Sequence, residues 1–265
     1  MSDFTVSLVQ TDLHWHDHAA NRTALTEQLA AALAGPGLTD LIVLPEMFTT
    51  GFSMEAAAQA EPSQGPTLAW LREQAARYDA VVTGSVMIAE AGNYYNRLLW
   101  VRPDGSYSAY DKRHLFRMAG EHQVYTAGAE RLVEEWRGWR IQPLVCYDLR
   151  FPVWSRNLAD APYDLLLYVA SWPHARINAW KVLLQARAIE NLTYVAGVNR
   201  IGVDGLGVEY SGHTMLLDPR GDYLAQAGTM PTILTRRLMR HPLREAREQL
   251  SALSDADAFD LRGVE

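Results

Sequence analysis

The sequence predicts a mixed-sheet α/β protein. Short unbroken runs rich in Val, Ile and Leu alternate with amphipathic helical stretches, and two tight turns join extended runs directly. Unbroken apolar runs imply strands covered on both faces. Helical crossovers imply parallel neighbours, and tight turns imply antiparallel ones. The mixture argues against an all-parallel eightfold barrel. No low-complexity segment, long polar linker or internal repeat interrupts the chain, so residues 1–265 are expected to form a single domain.

The strand-like runs are Phe4 to Val9, Leu41 to Leu44, Ala80 to Ile88, Leu98 to Val101, Ile141 to Val145, Leu165 to Ala170 and Tyr194 to Val198. A first helix is expected after Asp17, a good N-cap. It carries Leu25, Leu29, Ala32 and Leu33 on one stripe and stops at Gly35-Pro36-Gly37. A second covers Leu68 to Tyr78. A third places Ile177, Trp180, Leu183, Leu184 and Ala188 on one face and Lys181, Arg187 and Glu190 on the other. Pro103-Asp104-Gly105 and Asp218-Pro219-Arg220-Gly221 read as hairpin turns. The charged, helix-friendly segment Arg240 to Glu265 is expected to pack on the body or on a neighbouring subunit.

With 265 residues, 48% hydrophobic and 21% charged, the composition is that of an ordinary globular protein. A net charge of -7 with dispersed Lys and Arg gives no footprint for nucleic acid. No apolar stretch approaches the ~20 residues that span a bilayer, so no membrane partner is expected. The N-terminus lacks the basic-then-apolar pattern of a secretory signal. The single cysteine cannot form an intrachain disulfide, and a reducing cytoplasm is its expected home.

That cysteine, Cys146, ends one apolar run and precedes Tyr147-Asp148-Leu149-Arg150-Phe151-Pro152, where a strand is expected to turn into a helix and expose backbone N–H groups to an anion. A free Cys is more often a buried small hydrophobe than a nucleophile. Glu46 ends the run Leu41 to Leu44, where a carboxylate beside an apolar core can serve as a base. Lys112 follows the hairpin begun at Leu98, and Glu121 follows it in Ala119-Gly120-Glu121-His122. Singly, each of these reads as an ordinary solvated or capping residue. Together they are informative: Glu46, Lys112 and Cys146 each stand at the end of a strand-like run, where α/β sites assemble, and form a base, a cation and a thiol.

These segments resemble the carbon-nitrogen hydrolase (nitrilase) superfamily over nearly the whole chain. The motifs are Leu44-Pro45-Glu46-Met47-Phe48, Lys112-Arg113-His114-Leu115-Phe116 and Val145-Cys146-Tyr147-Asp148-Leu149-Arg150-Phe151-Pro152, with further matches at Ser171-Trp172-Pro173, Ala186-Arg187-Ala188-Ile189-Glu190-Asn191 and Asn199-Arg200. The resemblance implies a four-layer α-β-β-α sandwich, paired as a homodimer or a larger homo-oligomer. It also implies a Glu46-Lys112-Cys146 triad with Glu121 as a second glutamate. Leu44 to Phe52 looks like the omega-amidase branch, which hydrolyses the terminal amide of 2-oxoglutaramate or 2-oxosuccinamate. The reaction so implied passes through a thioester on Cys146. Glu46 is acid and base, and the oxyanion is held by Lys112 and the Tyr147 N–H. No metal or organic cofactor is required.

A carboxylate-bearing substrate needs a cation, and Arg117, Arg150 and Arg176 are the candidates. Arg150 could instead brace the turn after Cys146. Phe48, Phe116, Tyr147 and Trp172 could wall a small pocket, or simply pack a core. Other readings stay open: another amidase or carbamoyl hydrolase of the superfamily, a metal-dependent amidohydrolase using His14 and His16, or a non-catalytic ligand-binding scaffold. No Gly-x-Ser-x-Gly, Walker loop or Gly-x-Gly-x-x-Gly occurs, so serine hydrolysis and nucleotide binding have no motif behind them.

Overall fold

Residues 3–261 are described in a computed structural model. In chain order the strands are β1 (Phe4–Gln10), β2 (Leu41–Val43), β3 (Glu61–Pro62), β4 (Val81–Glu90), β5 (Asn93–Val101), β6 (Tyr107–Asp111), β7 (Glu134–Trp136), β8 (Trp139–Val145), β9 (Leu165–Ala170), β10 (Tyr194–Asn199), β11 (Ile201–Val203), β12 (Glu209–Ser211), β13 (Met215–Leu217), β14 (Tyr223–Gln226) and β15 (Thr232–Leu238). The helices are α1 (His18–Ala32), α2 (Ala56–Gln59), α3 (Pro66–Tyr78), α4 (Glu121–Val124), α5 (Ile177–Asn191) and α6 (Arg240–Gln249).

Two mixed sheets face each other. The first runs β15-β1-β2-β4-β5-β6 with β3 attached to β4, and the second runs β14-β13-β10-β9-β8-β7. Each has a parallel centre, β1-β2-β4 in one and β8-β9-β10 in the other, flanked by antiparallel strands. Alternation along the strands builds the layers. Phe4, Val6, Leu8, Val81, Leu98 and Trp100 enter the central core with Ile141, Leu165 and Val195 of the second sheet. Val9, Val82, Val86 and Leu99 face outward and meet Leu25 and Leu29 of α1 and Leu68, Leu71 and Ala75 of α3. On the far side, Trp180, Leu184 and Ala188 of α5 and Leu243 of α6 cover the second sheet. The result is a four-layer α-β-β-α sandwich.

All seven apolar runs lie in or overlap strands, and both tight turns close hairpins, β5-β6 and β13-β14. Asp17 caps α1 by accepting the Ala20 N–H at 2.9 Å. Three expectations need correction. Ala32 is exposed rather than on the buried stripe. No α-helix follows Cys146, only a 3-10 turn over Cys146–Arg150. Arg187 lies on the buried face of α5, because its guanidinium has internal partners: Nη2 donates to Leu149 O at 2.6 Å and Nη1 to Glu190 Oε1 at 3.0 Å. The start of the C-terminal segment packs on the body, where Arg247 donates to Tyr163 O and Leu192 O. Its last four residues lie outside the described ones. No helix among the described residues is long and apolar enough to cross a membrane.

Candidate active site

Glu46 sits in the loop that leaves β2. The loop is pinned to β4 by Leu44 N on Thr83 O at 2.8 Å and Met47 N on Ser85 Oγ at 2.9 Å. Lys112 directly follows β6, and its N–H donates to Asn96 O of β5 at 3.0 Å. Glu121 opens α4. Cys146 directly follows β8 in a left-handed conformation, φ 44°, which a non-glycine residue adopts only when its surroundings impose it.

Asp148 supplies much of that imposition. It is fully buried and accepts from Val145 N at 3.1 Å, Tyr110 Oη at 2.7 Å, His114 N at 3.0 Å and His114 Nδ1 at 2.8 Å. It thereby ties the turn that carries Cys146 to the loop that follows Lys112. Arg187, through Leu149 O, braces the same turn from α5.

Three strand ends and the start of α4 bring Glu46, Lys112, Cys146 and Glu121 together. Lys112 Nζ donates to Glu46 Oε1 at 2.8 Å and to Glu121 Oε1 and Oε2 at 3.0 and 2.9 Å. All three side chains are buried. The second Glu46 oxygen accepts the Ser171 N–H at 2.8 Å, and the second Glu121 oxygen accepts the Phe116 N–H at 2.5 Å. Cys146 is partly exposed, with Sγ 4.0 Å from Ser171 O.

Burial sets the charges. It would lower the Lys112 ammonium, but Glu121 and Glu46 outweigh it and hold the pKa above its ordinary value. Glu121 is raised by burial and by Glu46, against the pull of Lys112 and the Phe116 N–H. The Cys146 thiol is pushed well above its ordinary value by burial first and Glu46 second, with Lys112 opposing. A cysteine so placed rests as the thiol and needs a base at the moment of attack.

Over these groups opens a cavity of about 210 Å³. Lys112, Cys146, Tyr147 and Ser171 line its catalytic-looking end, and Phe52, Phe116 and Trp172 its aromatic walls. Arg150 and Arg176 also line it. Arg150 lies over the Trp172 ring at 5.1 Å and Arg176 over the Phe116 ring at 5.3 Å. Neither forms an ion pair among the described residues, so both guanidinium charges are available to a ligand.

Two expected pocket residues are not in it. Arg117 is exposed and outside the cavity. Phe48 belongs to the outer core, because the chain reverses at Met47, φ 44°, and drives the ring toward Trp70 at 5.8 Å. Gly84 makes room for it, since a Cβ there would lie 2.9 Å from that ring. Phe52 takes the expected place, with Lys112 Nζ 5.2 Å from its centroid. The bracing role considered for Arg150 is filled by Arg187. Sequence reasoning missed Asn96, Met54 and the β11-β12 hairpin, whose Asp204, Leu206, Val208 and Tyr210 form one wall. The Asp204-Gly205-Leu206-Gly207 turn was the available signal for the hairpin.

His14 is exposed, and His16 stacks on Trp15 at 4.3 Å. Among the described residues no group of three or more His, Cys, Asp or Glu side chains is arranged to hold a metal, so the ligand set that a His14/His16 metal centre needs is not gathered.

A model of the carbon-nitrogen hydrolase family matches residues 5–248. The omega-amidase YafV of Escherichia coli (strain K12) is 49% identical over 264 residues, 98% of this chain and 100% of that one. The 2-oxoglutaramate amidase of Bacillus subtilis (strain 168) is 33% identical over 82% of this chain and 84% of that one. A crystal structure of a CN-hydrolase superfamily protein from Xanthomonas campestris, with an arsenic adduct in its active site, superposes with a TM-score of 0.95 at 48% identity, covering 99% of this chain and 100% of that one. Fold, motif order and near full-length likeness agree: the chain belongs to the carbon-nitrogen hydrolase family and is a hydrolase of amide carbon–nitrogen bonds.

Proposed function

We propose that this amidase is an omega-amidase, which hydrolyses the terminal amide of a small carboxylate-bearing substrate of the 2-oxoglutaramate or 2-oxosuccinamate type through a thioester on Cys146. The observation that carries the reading is the pairing, in one small cavity, of a Glu46-Lys112-Glu121-Cys146 cluster with two guanidinium groups that lack carboxylate partners. A cavity of about 210 Å³ falls below the roughly 300–1,000 Å³ of sites for drug-sized ligands, which suits a short acyl chain.

In the proposed reaction the Cys146 sulfur attacks the amide carbonyl while Glu46 accepts the thiol proton. The oxyanion is held by the charge of Lys112 and by the N–H of Tyr147, which as second residue of a 3-10 turn has no partner within that turn. Glu46 then delivers the proton to the leaving nitrogen, the C–N bond breaks, and ammonia departs. Water, deprotonated by the same Glu46, attacks the thioester, and the sulfur leaves with its proton restored. Glu121 positions Lys112. Arg150 and Arg176 attract the substrate carboxylate.

The test is ammonia release from 2-oxoglutaramate by wild type and Cys146→Ala side by side. Release that vanishes in the variant supports both the thiol and the substrate. A wild type inactive on 2-oxoglutaramate but active on other small amides refutes the substrate. Equal release by both proteins refutes the nucleophile.

A further inference from the structure

Asn96 is fully buried on β5, and its Nδ2 reaches both carboxylates of the cluster, Glu46 Oε1 at 2.8 Å and Glu121 Oε1 at 3.1 Å. Only the amide nitrogen can face two carboxylates, since these offer acceptors alone when ionised. No described residue donates to the opposite end, Oδ1. A buried amide oxygen without a donor lowers stability, so the fold gains little from an amide here except at its nitrogen end.

The donor arrangement says what that end does. Lys112 directs three contacts at three carboxylate oxygens. Two negative charges thus share one positive charge, and all three side chains are buried. A proton taken up by either carboxylate would relieve the repulsion and disable the site. Asn96 fills the remaining direction on both Oε1 atoms. With it, Glu121 accepts two donors on each oxygen, from Lys112 and Asn96 on one and from Lys112 and Phe116 N on the other. No lone pair is left for a proton.

We propose that Asn96 is a positioning residue that keeps Glu46 and Glu121 both in the acceptor form, by donating one amide hydrogen to each, so that the cluster can take the Cys146 proton at neutral pH. The proposal rests on the thiol mechanism above but not on the identity of the acyl group. A neutral donor suits the task, because a second cation at this point would stabilise the carboxylates so far that neither could act as a base. The other titratable groups that face the pair are Lys112, Cys146, Tyr125 and Tyr210. Both tyrosines are raised, by burial first, and stay neutral across the working range.

The experiment compares wild type, Asn96→Ala and Asn96→Asp, each checked for fold by circular dichroism. The readout is kcat/KM against pH on whichever small amide the wild type turns over fastest. The acid limb is expected to move up by about one pH unit in Asn96→Ala, the effect of one lost hydrogen bond to a charged group. Asn96→Asp keeps the shape but adds a third carboxyl group, and is expected to shift the limb at least as far. In a Glu121→Gln background, with only one carboxylate left to protect, the shift from Asn96→Ala is expected to shrink. A second readout needs no substrate. Difference infrared titration should show the carbonyl stretch of a protonated carboxylic acid persisting to a pH about one unit higher in Asn96→Ala than in wild type, assigned by its loss in Glu121→Gln or Glu46→Gln. An unmoved acid limb with an unmoved band overturns the proposal, as does a shift of equal size in the Glu121→Gln background. A wild type that ignores 2-oxoglutaramate sinks only the acyl assignment, since both readouts remain.

Discussion

Asp148→Asn changes one atom and tests whether the Cys146 turn and the Lys112 loop act as one unit. The carboxylate accepts four hydrogen bonds, two at each oxygen. An amide nitrogen in place of Oδ2 would face the Val145 N–H and a Tyr110 hydroxyl that already accepts from Trp154 Nε1 at 2.9 Å and Arg113 N at 3.2 Å. In place of Oδ1 it would meet the His114 N–H, with His114 Nδ1 as its one usable partner. The second orientation costs less: it loses one bond outright and turns the others from charged to neutral. At about 1.5–3 kcal/mol for each bond to a charged group and about 1 kcal/mol for a neutral one, the variant should lose about 3–5 kcal/mol of stability. Urea denaturation should show this as a lower midpoint with an unchanged slope. Under conditions where the variant is folded, kcat should fall about 10–100-fold with a much smaller change in KM, because the sulfur and the ammonium lose their relative placement. A loss below about 1 kcal/mol with unchanged kcat would refute the reasoning.

Arg150→Gln should raise KM for a carboxylate-bearing amide about 10–100-fold and leave a short neutral amide unaffected, as steady-state kinetics on both will show. Equal effects on the two substrates would remove Arg150 from carboxylate recognition. Gly205→Ala places a Cβ 2.3 Å from the Trp15 indole, so the β11-β12 hairpin must move. KM is expected to rise about tenfold with a Tm drop of a few degrees, and no change in either would show that the hairpin does not shape the pocket. Because burial and then Glu46 raise the Cys146 thiol, its ultraviolet thiolate absorbance, taken as wild type minus Cys146→Ser, should be missing at neutral pH and emerge only above pH 9.0. A thiolate band at pH 7 would mean a preformed ion pair rather than base-assisted attack. Lys112→Arg keeps the charge, but its planar fork cannot aim three hydrogens at the same three oxygens in a site this closed, so activity should fall by about a thousandfold or more. Retention within about tenfold would show that charge alone suffices.

The fold was legible where one physical signal dominated. Unbroken runs rich in Val, Ile and Leu mark strands buried on both faces, and β2 and β9 are strands of that kind. Strand ends also marked the cluster, since Glu46, Lys112 and Cys146 each follow an extended run. What escaped were features decided by direction rather than by position. Phe48 follows a left-handed Met47 and leaves the pocket, while Phe52, four residues on, enters it. Arg187 reads as a solvent-face charge by helical spacing, but it is buried because Leu149 O and Glu190 give it partners. Asn96 sits inside a half-polar stretch, Asn93-Tyr94-Tyr95-Asn96-Arg97, and nothing in that spacing marks the one amide that the sheet register sets against two carboxylates.

The same register explains why the site needs so many backbone anchors. The Lys112 backbone N–H donates to Asn96 O, and the Glu46 and Glu121 carboxylates accept from Ser171 N and Phe116 N, so each residue of the ionic cluster has a backbone anchor. Lys112 has its hydrogens committed to carboxylates. In the proposed reaction Glu46 becomes neutral as it takes the thiol proton and weakens as an acceptor, so an oxyanion can claim a hydrogen from that contact or from Glu121, which Lys112 meets through both oxygens. Releasing one of the two Glu121 contacts keeps the ion pair intact. In the proposed reaction Glu121 thus does more than hold Lys112 in place: it meets the ammonium through both oxygens, so one contact can pass to the oxyanion, whereas a side chain with a single acceptor would strand two of the four donors that Glu121 accepts and disturb the ground state as well.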